Sequence, residues 1–182
     1  PPGQIWTINM GGNHDEPTGL YKIEINAMPG SGVKILNKPA PPAFQECVRY
    51  AEQNVYSKAN ELVGDRDPRN HEFSVQLRAF DASKSGNGMG MAVLIGLCSS
   101  MLEKHIKGGL IIVGQLNLGG SLDTIYNAVN LAELAVEKGA TTLLIPLNAR
   151  KQLNELSDEM ITKINIQYYT DLKDCLIKAI LE

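Results

Sequence analysis

Apolar and polar residues alternate along Tyr21, Ile23, Ile25 and Ala27, with Lys22, Glu24 and Asn26 between them. A period of two marks a strand with one buried face. Phe73, Val75, Leu77 and Ala79 repeat the pattern and predict a second strand over residues 72–80. Gln4 to Met10 is a third, shorter β-type run. Pro29-Gly30-Ser31-Gly32 turns the chain, and Val33 to Leu36 is expected to return as a hairpin partner. The period then changes. Pro39, Pro41 and Pro42 stop the strand and can open a helix, because proline is tolerated in the first turn. Phe44, Cys47, Val48, Ala51, Val55, Ala59 and Leu62 recur every three or four residues and predict one long amphipathic helix. Gly64 to Asn70 reads as a charged loop.

Met91 to Leu102 is almost wholly apolar, which predicts a central, buried helix. Leu110 to Val113 is a short buried strand, and Leu116 to Leu118 leads into Gly119-Gly120. Asp123 stands where it could cap a helix over Thr124 to Lys138, with Gly139 to close it. Thr141 to Ile145 is a buried strand ended by Pro146. Helical turns around 149–163, a strand from Ile164 to Tyr169 and a helix from Asp171 complete the chain. Strands come first and helix–strand alternation follows. The pattern supports a mixed α/β domain, a single one over residues 1–182, with helices covering sheets.

Composition narrows the function. Seventeen basic and 20 acidic residues leave a formal charge of −3, so no global field favours nucleic acid. Cys47, Cys98 and Cys175 are far apart in apolar, helix-like stretches and read as buried free thiols, not as zinc or redox pairs. Free thiols, no membrane-spanning apolar run and no signal peptide together suggest the cytoplasm. The chain opens Pro1-Pro2 without methionine, which suggests a fragment of a longer protein.

The chemistry concentrates at Gly86-Asn87-Gly88-Met89-Gly90, between the strand ending near Phe80 and the helix from Met91. A tight glycine-rich turn into a helix can hold a nucleophile beside free backbone N–H groups. This stretch and its flanks resemble the proteolytic domain of Lon-type ATP-dependent proteases, where it reads Asp-Gly-Pro-Ser-Ala-Gly around the nucleophilic serine. Further segments resemble the same family in order and spacing. Residues 19–25 with the Pro29–Gly32 turn look like its opening strand. Val113-Gly114-Gln115 and Gly119-Gly120 are similar to its Thr-Gly-Glu strand and the glycine pair before its lysine. Residues 139–148, ending Ile145-Pro146-Leu147-Asn148, look like its late strand.

The resemblance implies an α+β fold of small sheets covered by helices. It implies a Ser–Lys dyad and also implies that this chain lacks one. The serine slot holds Gly88 and the lysine slot holds Leu122. The expected catalytic residues are therefore none. Ser85 with Lys84 is the fallback dyad, and Ser83 and Ser121 are displaced from either slot. Leu97-Cys98-Ser99, Leu118-Gly119-Gly120 and the stretch Tyr168-Tyr169-Thr170-Asp171 are also similar to the C-terminal Lon-like domain of the BrxL family of BREX phage-defence systems. That similarity implies a homo-oligomeric ring, an AAA+ module using ATP and Mg, and DNA as a partner of the larger protein. No cofactor or metal is expected on this chain itself, and no membrane partner. The readings are a degenerate scaffold domain, an active peptidase with a shifted dyad, or a nucleic-acid contact module of a ring. His14-Asp15-Glu16 has metal-ligand chemistry, but its three consecutive loop residues lack a spaced partner.

Overall fold

A computed structural model describes residues 1–9, 18–80 and 86–180. The dyad fallback at Ser83, Lys84 and Ser85 and the His14-Asp15-Glu16 run lie outside the described residues.

Seven strands form one mixed sheet: β1 (Gln4–Ile8), β2 (Leu20–Pro29), β3 (Val33–Ile35), β4 (His71–Ala79), β5 (Leu110–Ile112), β6 (Thr142–Pro146) and β7 (Asn165–Tyr169). Their order is β3-β4-β2-β1-β5-β6-β7, so the strands join a single sheet instead of several small ones. β4, β2 and β1 pair antiparallel, while β1, β5, β6 and β7 run parallel.

The alternation seen in β2 and β4 follows from this arrangement. Ile23, Ile25, Phe73 and Val75 face a core under α1 (Pro42–Ser57), α3 (Gly90–Leu102) and α7 (Leu172–Ala179). The opposite face of these strands carries Lys22, Glu24 and Arg78, with an ion pair between the last two at 3.1 Å. Trp6 is half-buried there, with its ring 5.0 Å from that of Phe80 and the Lys22 ammonium above it. β5 and β6 read as continuous apolar runs because both their faces are covered. Ile112 and Leu144 join the first core. Ile111, Val113, Leu143 and Ile145 join a second core under α4 (Ala128–Glu137), α5 (Arg150–Leu153) and α6 (Asp158–Lys163).

Three local expectations are corrected. Val33 to Ile35 does not form a hairpin with β2. It pairs parallel with β4, which lies between the two, because β2 already has β1 on one side and β4 on the other. The chain crosses the start of β4 at Gly30, whose N–H donates to the Asn70 carbonyl at 3.2 Å. The long first helix breaks at Lys58 (φ −119°, ψ 24°), and α2 (Ala59–Val63) turns onto α3 and α7. Asp123 caps nothing, and the fourth helix begins only at Ala128. Residues 123–127 are held out of helix by two side chains beyond β6. Asn148 donates to the Asp123 carbonyl at 3.2 Å and accepts from Ile125 N–H at 3.4 Å. Gln152 donates to the Ile125 carbonyl and accepts from Ala128 N–H at 3.0 Å. Asp171, by contrast, caps α7, accepting from Asp174 N–H at 2.8 Å.

Candidate functional site

The glycine-rich segment is a turn, not a helix. Gly86 (φ +65°) and Gly88 (φ +74°) both occupy the left-handed region, and α3 starts at Gly90. α3 is buried along almost its whole length, as its apolar run predicts. The turn is tightly packed at Gly86 and at Gly90. A Cβ on Gly86 would lie 2.9 Å from Phe44 Cβ and 3.1 Å from Leu77 Cδ2. A Cβ on Gly90 would lie 2.4 Å from Leu116 Cδ2.

Sequence reasoning expects open N–H groups at this helix start. The fold fills three of them. Met89 N–H donates to Cys47 Sγ at 3.4 Å. Gly90 N–H donates to Gln115 Oε1 at 2.7 Å, and Met91 N–H to the Gly114 carbonyl at 3.1 Å. Gln115 Oε1 also lies 3.4 Å from Cys47 Sγ, from which it can accept the thiol hydrogen. Two long-range partners, one on α1 and one after β5, thus close the end of α3.

Leu122 lies one contact away from this turn. It forms an isolated antiparallel bridge with Leu116, the residue that packs over Gly90. Leu122 is half-buried and Leu116 fully buried, so the position belongs to the core margin. The bridge closes a short loop in which the Asn117 side chain accepts from the N–H groups of Gly119 (3.0 Å) and Ser121 (3.1 Å). Asn54 on α1 donates to the Asn117 carbonyl at 3.1 Å and holds the loop from outside. Lys58 reaches the Gly119 carbonyl at 3.4 Å. It stands about three helical turns, roughly 16 Å, beyond Cys47, so its ammonium belongs to the loop and not to the turn. Ser121 is exposed.

The structure therefore brings the neighbourhoods of Gly88 and Leu122 together through Leu116. It adds two residues that sequence reasoning missed as site components, Cys47 and Gln115. Gln115 had a signal, since it stands where the resembled family has the glutamate of Thr-Gly-Glu. Cys47 had none, because its role depends on a partner 42 residues away.

Cys47 is poorly suited to attack. Burial pushes its thiol pKa up, against the lowering effect of N–H groups from Met89 and Gly88. Burial pushes Cys98 up to about 12 and Cys175 well above its ordinary value. A nucleophilic cysteine needs the opposite shift. None of the three thiols should react with a colorimetric disulfide reagent at neutral pH in the folded protein, and all three should react in concentrated guanidinium. A fast native phase lost in Cys47→Ser would contradict this reading.

Among the described residues, no three of His, Cys, Asp and Glu come together as a metal-ligand set. His71 lies 3.0 Å from the Asp67 carbonyl, and His105 is exposed. Among the described residues, no helix is long and apolar enough to cross a membrane.

The family model of the Lon protease (S16) C-terminal proteolytic domain matches residues 3–182. Among curated proteins, the Lon-like protease BrxL of Escherichia coli O9:H4 (strain HS) is 23% identical over 90% of this chain and 24% of its own length. BrxL of Bacillus cereus (strain H3081.97) is 21% identical over 98% of this chain and 26% of its own. The Lon protease of Desulfatibacillum aliphaticivorans is 26% identical over 98% of this chain and 21% of its own. The chain thus spans about a quarter of the length of these relatives.

Proposed function

Because the chain belongs to the Lon protease C-terminal proteolytic domain family, we propose that it is a member that does not hydrolyse peptides and serves instead as a structural part of a larger protein. The carrying observation is the state of the turn before α3. Its nucleophile slot is a glycine at φ +74°, and three consecutive N–H groups there already have protein acceptors. Hydrolysis through a Ser–Lys dyad needs an oxygen nucleophile, a lysine near enough to take its proton, and donors aimed at the developing oxyanion. Gly88 supplies no oxygen. Leu122 supplies no base. The donors at the helix start are engaged with Gln115, Gly114 and Cys47.

The larger protein, in this reading, is a ring-forming AAA+ ATPase of the BrxL kind acting in phage defence. Its ATP and Mg would sit on a module outside this chain, and DNA would be a partner of the whole ring. The similarity to the two BrxL proteins supports that context.

The test is turnover of short unstructured fluorogenic peptides, which need no unfolding, combined with intact-mass analysis after a serine-directed phosphonate probe. The expected result is no turnover above background and no adduct. Turnover abolished by Ser83→Ala or Ser85→Ala, or an adduct on either serine, would overturn the non-hydrolysing reading in favour of a shifted dyad with Lys84.

A further inference from the structure

β3 is an edge strand, with β4 on one side and no strand on the other among the described residues. Its hydrogen-bonding sides can be assigned. Phe73 N–H donates to the Gly32 carbonyl at 2.9 Å, and Leu36 N–H to the Val75 carbonyl at 2.8 Å. Backbone groups alternate in direction along a strand, so Val33 and Ile35 turn their N–H and C=O groups to the open side. The edge has a defined end. After Leu36 the chain leaves the sheet, and the Asn37 side chain takes over the ladder to Leu77. It accepts from Leu77 N–H and donates to the Leu77 carbonyl, both at 2.8 Å.

The open side faces a groove. Val33, Ile35 and Pro39 border one side, and Val48, Arg49 and Glu52 of α1 the other, of a shallow, open groove of about 510 Å³. The groove lies on the far side of α1 from Cys47 and the 86–89 turn. An edge strand facing a helix across a groove is the arrangement that accepts an added peptide strand. Main-chain bonds supply affinity, and alternate side chains supply selectivity.

Charge selects the occupant. Lys38 and Arg49 flank the groove, and neither makes an ion pair with a described residue. Glu52 accepts from the Tyr56 hydroxyl at 3.1 Å, and Lys34 is paired with Glu72 at 3.2 Å. The groove therefore sets two cations, Lys38 and Arg49, against the single Glu52 carboxylate and is net positive beside the apolar Val33, Ile35 and Val48.

We infer that the open side of β3, with α1 as its second wall, is a docking edge for an extended acidic peptide that adds as one further strand. Apolar side chains of the peptide settle on Val33, Ile35 and Val48, and its carboxylates face Lys38 and Arg49. This docking is separate from hydrolysis and holds whichever way the turnover test falls.

The test uses the 182-residue chain and fluorescein-labelled hexapeptides of alternating valine and glutamate, or valine and lysine, read by fluorescence anisotropy. The acidic peptide should bind and weaken with added salt, and the basic one should not bind. Arg49→Glu should reduce affinity tenfold or more. So should Ile35→Pro, which removes an outward N–H and spares the ladder to β4. Lys151→Glu on α5 should change nothing, and circular dichroism should show every variant folded. No binding of the acidic peptide, equal binding of both peptides, or binding indifferent to Arg49→Glu would overturn the inference. So would a dimer of the chain that Arg49→Glu leaves intact and Ile35→Pro abolishes, since the edge would then serve a second copy.

Discussion

Gly114→Ala should destabilise the fold by about 3 kcal/mol or more, through backbone strain and overpacking together. Gly114 sits at φ +139°, a conformation that L side chains rarely adopt. A Cβ there would lie 2.0 Å from the Tyr169 hydroxyl oxygen and 3.1 Å from Pro146 Cγ. Tyr169 cannot move cheaply. It is fully buried, and its hydroxyl donates to the Val113 carbonyl at 2.7 Å. Displacing it leaves a buried hydroxyl unpaired, which costs about 1–3 kcal/mol. The damage should also reach the site, because the Gly114 carbonyl holds Met91 N–H at the start of α3. In thermal unfolding the midpoint should fall by roughly 6–12 °C. Gly139→Ala is the matched control. It too has positive φ (+83°), but no atom lies within 4 Å of its Cβ position, so only about 1 kcal/mol of strain is expected. Equal midpoints for the two variants would refute the packing argument.

Leu94→Ala should cost about 2–5 kcal/mol, the range for opening a cavity in a core that relaxes only partly. Leu94 is fully buried in the middle of α3, which packs between α1 and the sheet at β1 and β2. The helix touches the sheet closely at Gly96, where a Cβ would meet Ile5 Cδ1 at 2.5 Å and Ile25 Cδ1 at 2.6 Å. That close approach leaves little freedom for the helix to shift and refill the space. Ile177→Ala is the comparison. Ile177 is 56% exposed on α7 and should cost well under 1 kcal/mol. Urea unfolding of the two variants, with unchanged denaturant slope, separates the cases. A Leu94→Ala loss as small as that of Ile177→Ala would mean that α3 is not the rigid centre described here.

These two predictions differ in where their warrant could be found. The Leu94 effect was readable from the chain, because twelve residues without a polar face leave a helix nowhere to go but the interior. The alternation of β2 and β4, the buried cysteines and the mixture of strands and helices were legible for the same reason. Each depends on side-chain chemistry at short, fixed spacing. The glycine-rich turn before α3 was legible too.

The rest required the tertiary structure. Val33–Ile35 carries a strand pattern, but no pattern says that β4 comes between it and β2. The run from Thr124 has helical periodicity, yet Asn148 and Gln152 hold its first residues out of helix from across the fold. A sequence places free N–H groups at the start of α3. Only the structure shows them taken, Gly90 by Gln115 across 25 residues and Met89 by Cys47 across 42. Gly114 looks like any other glycine until Tyr169 is seen against it. The physical reason is one of range. Periodicity and propensity act over two to four residues and determine which elements form. Partners for edges, helix ends and buried polar groups are chosen by what the packed chain brings alongside, and in this protein those choices decide the state of the candidate site.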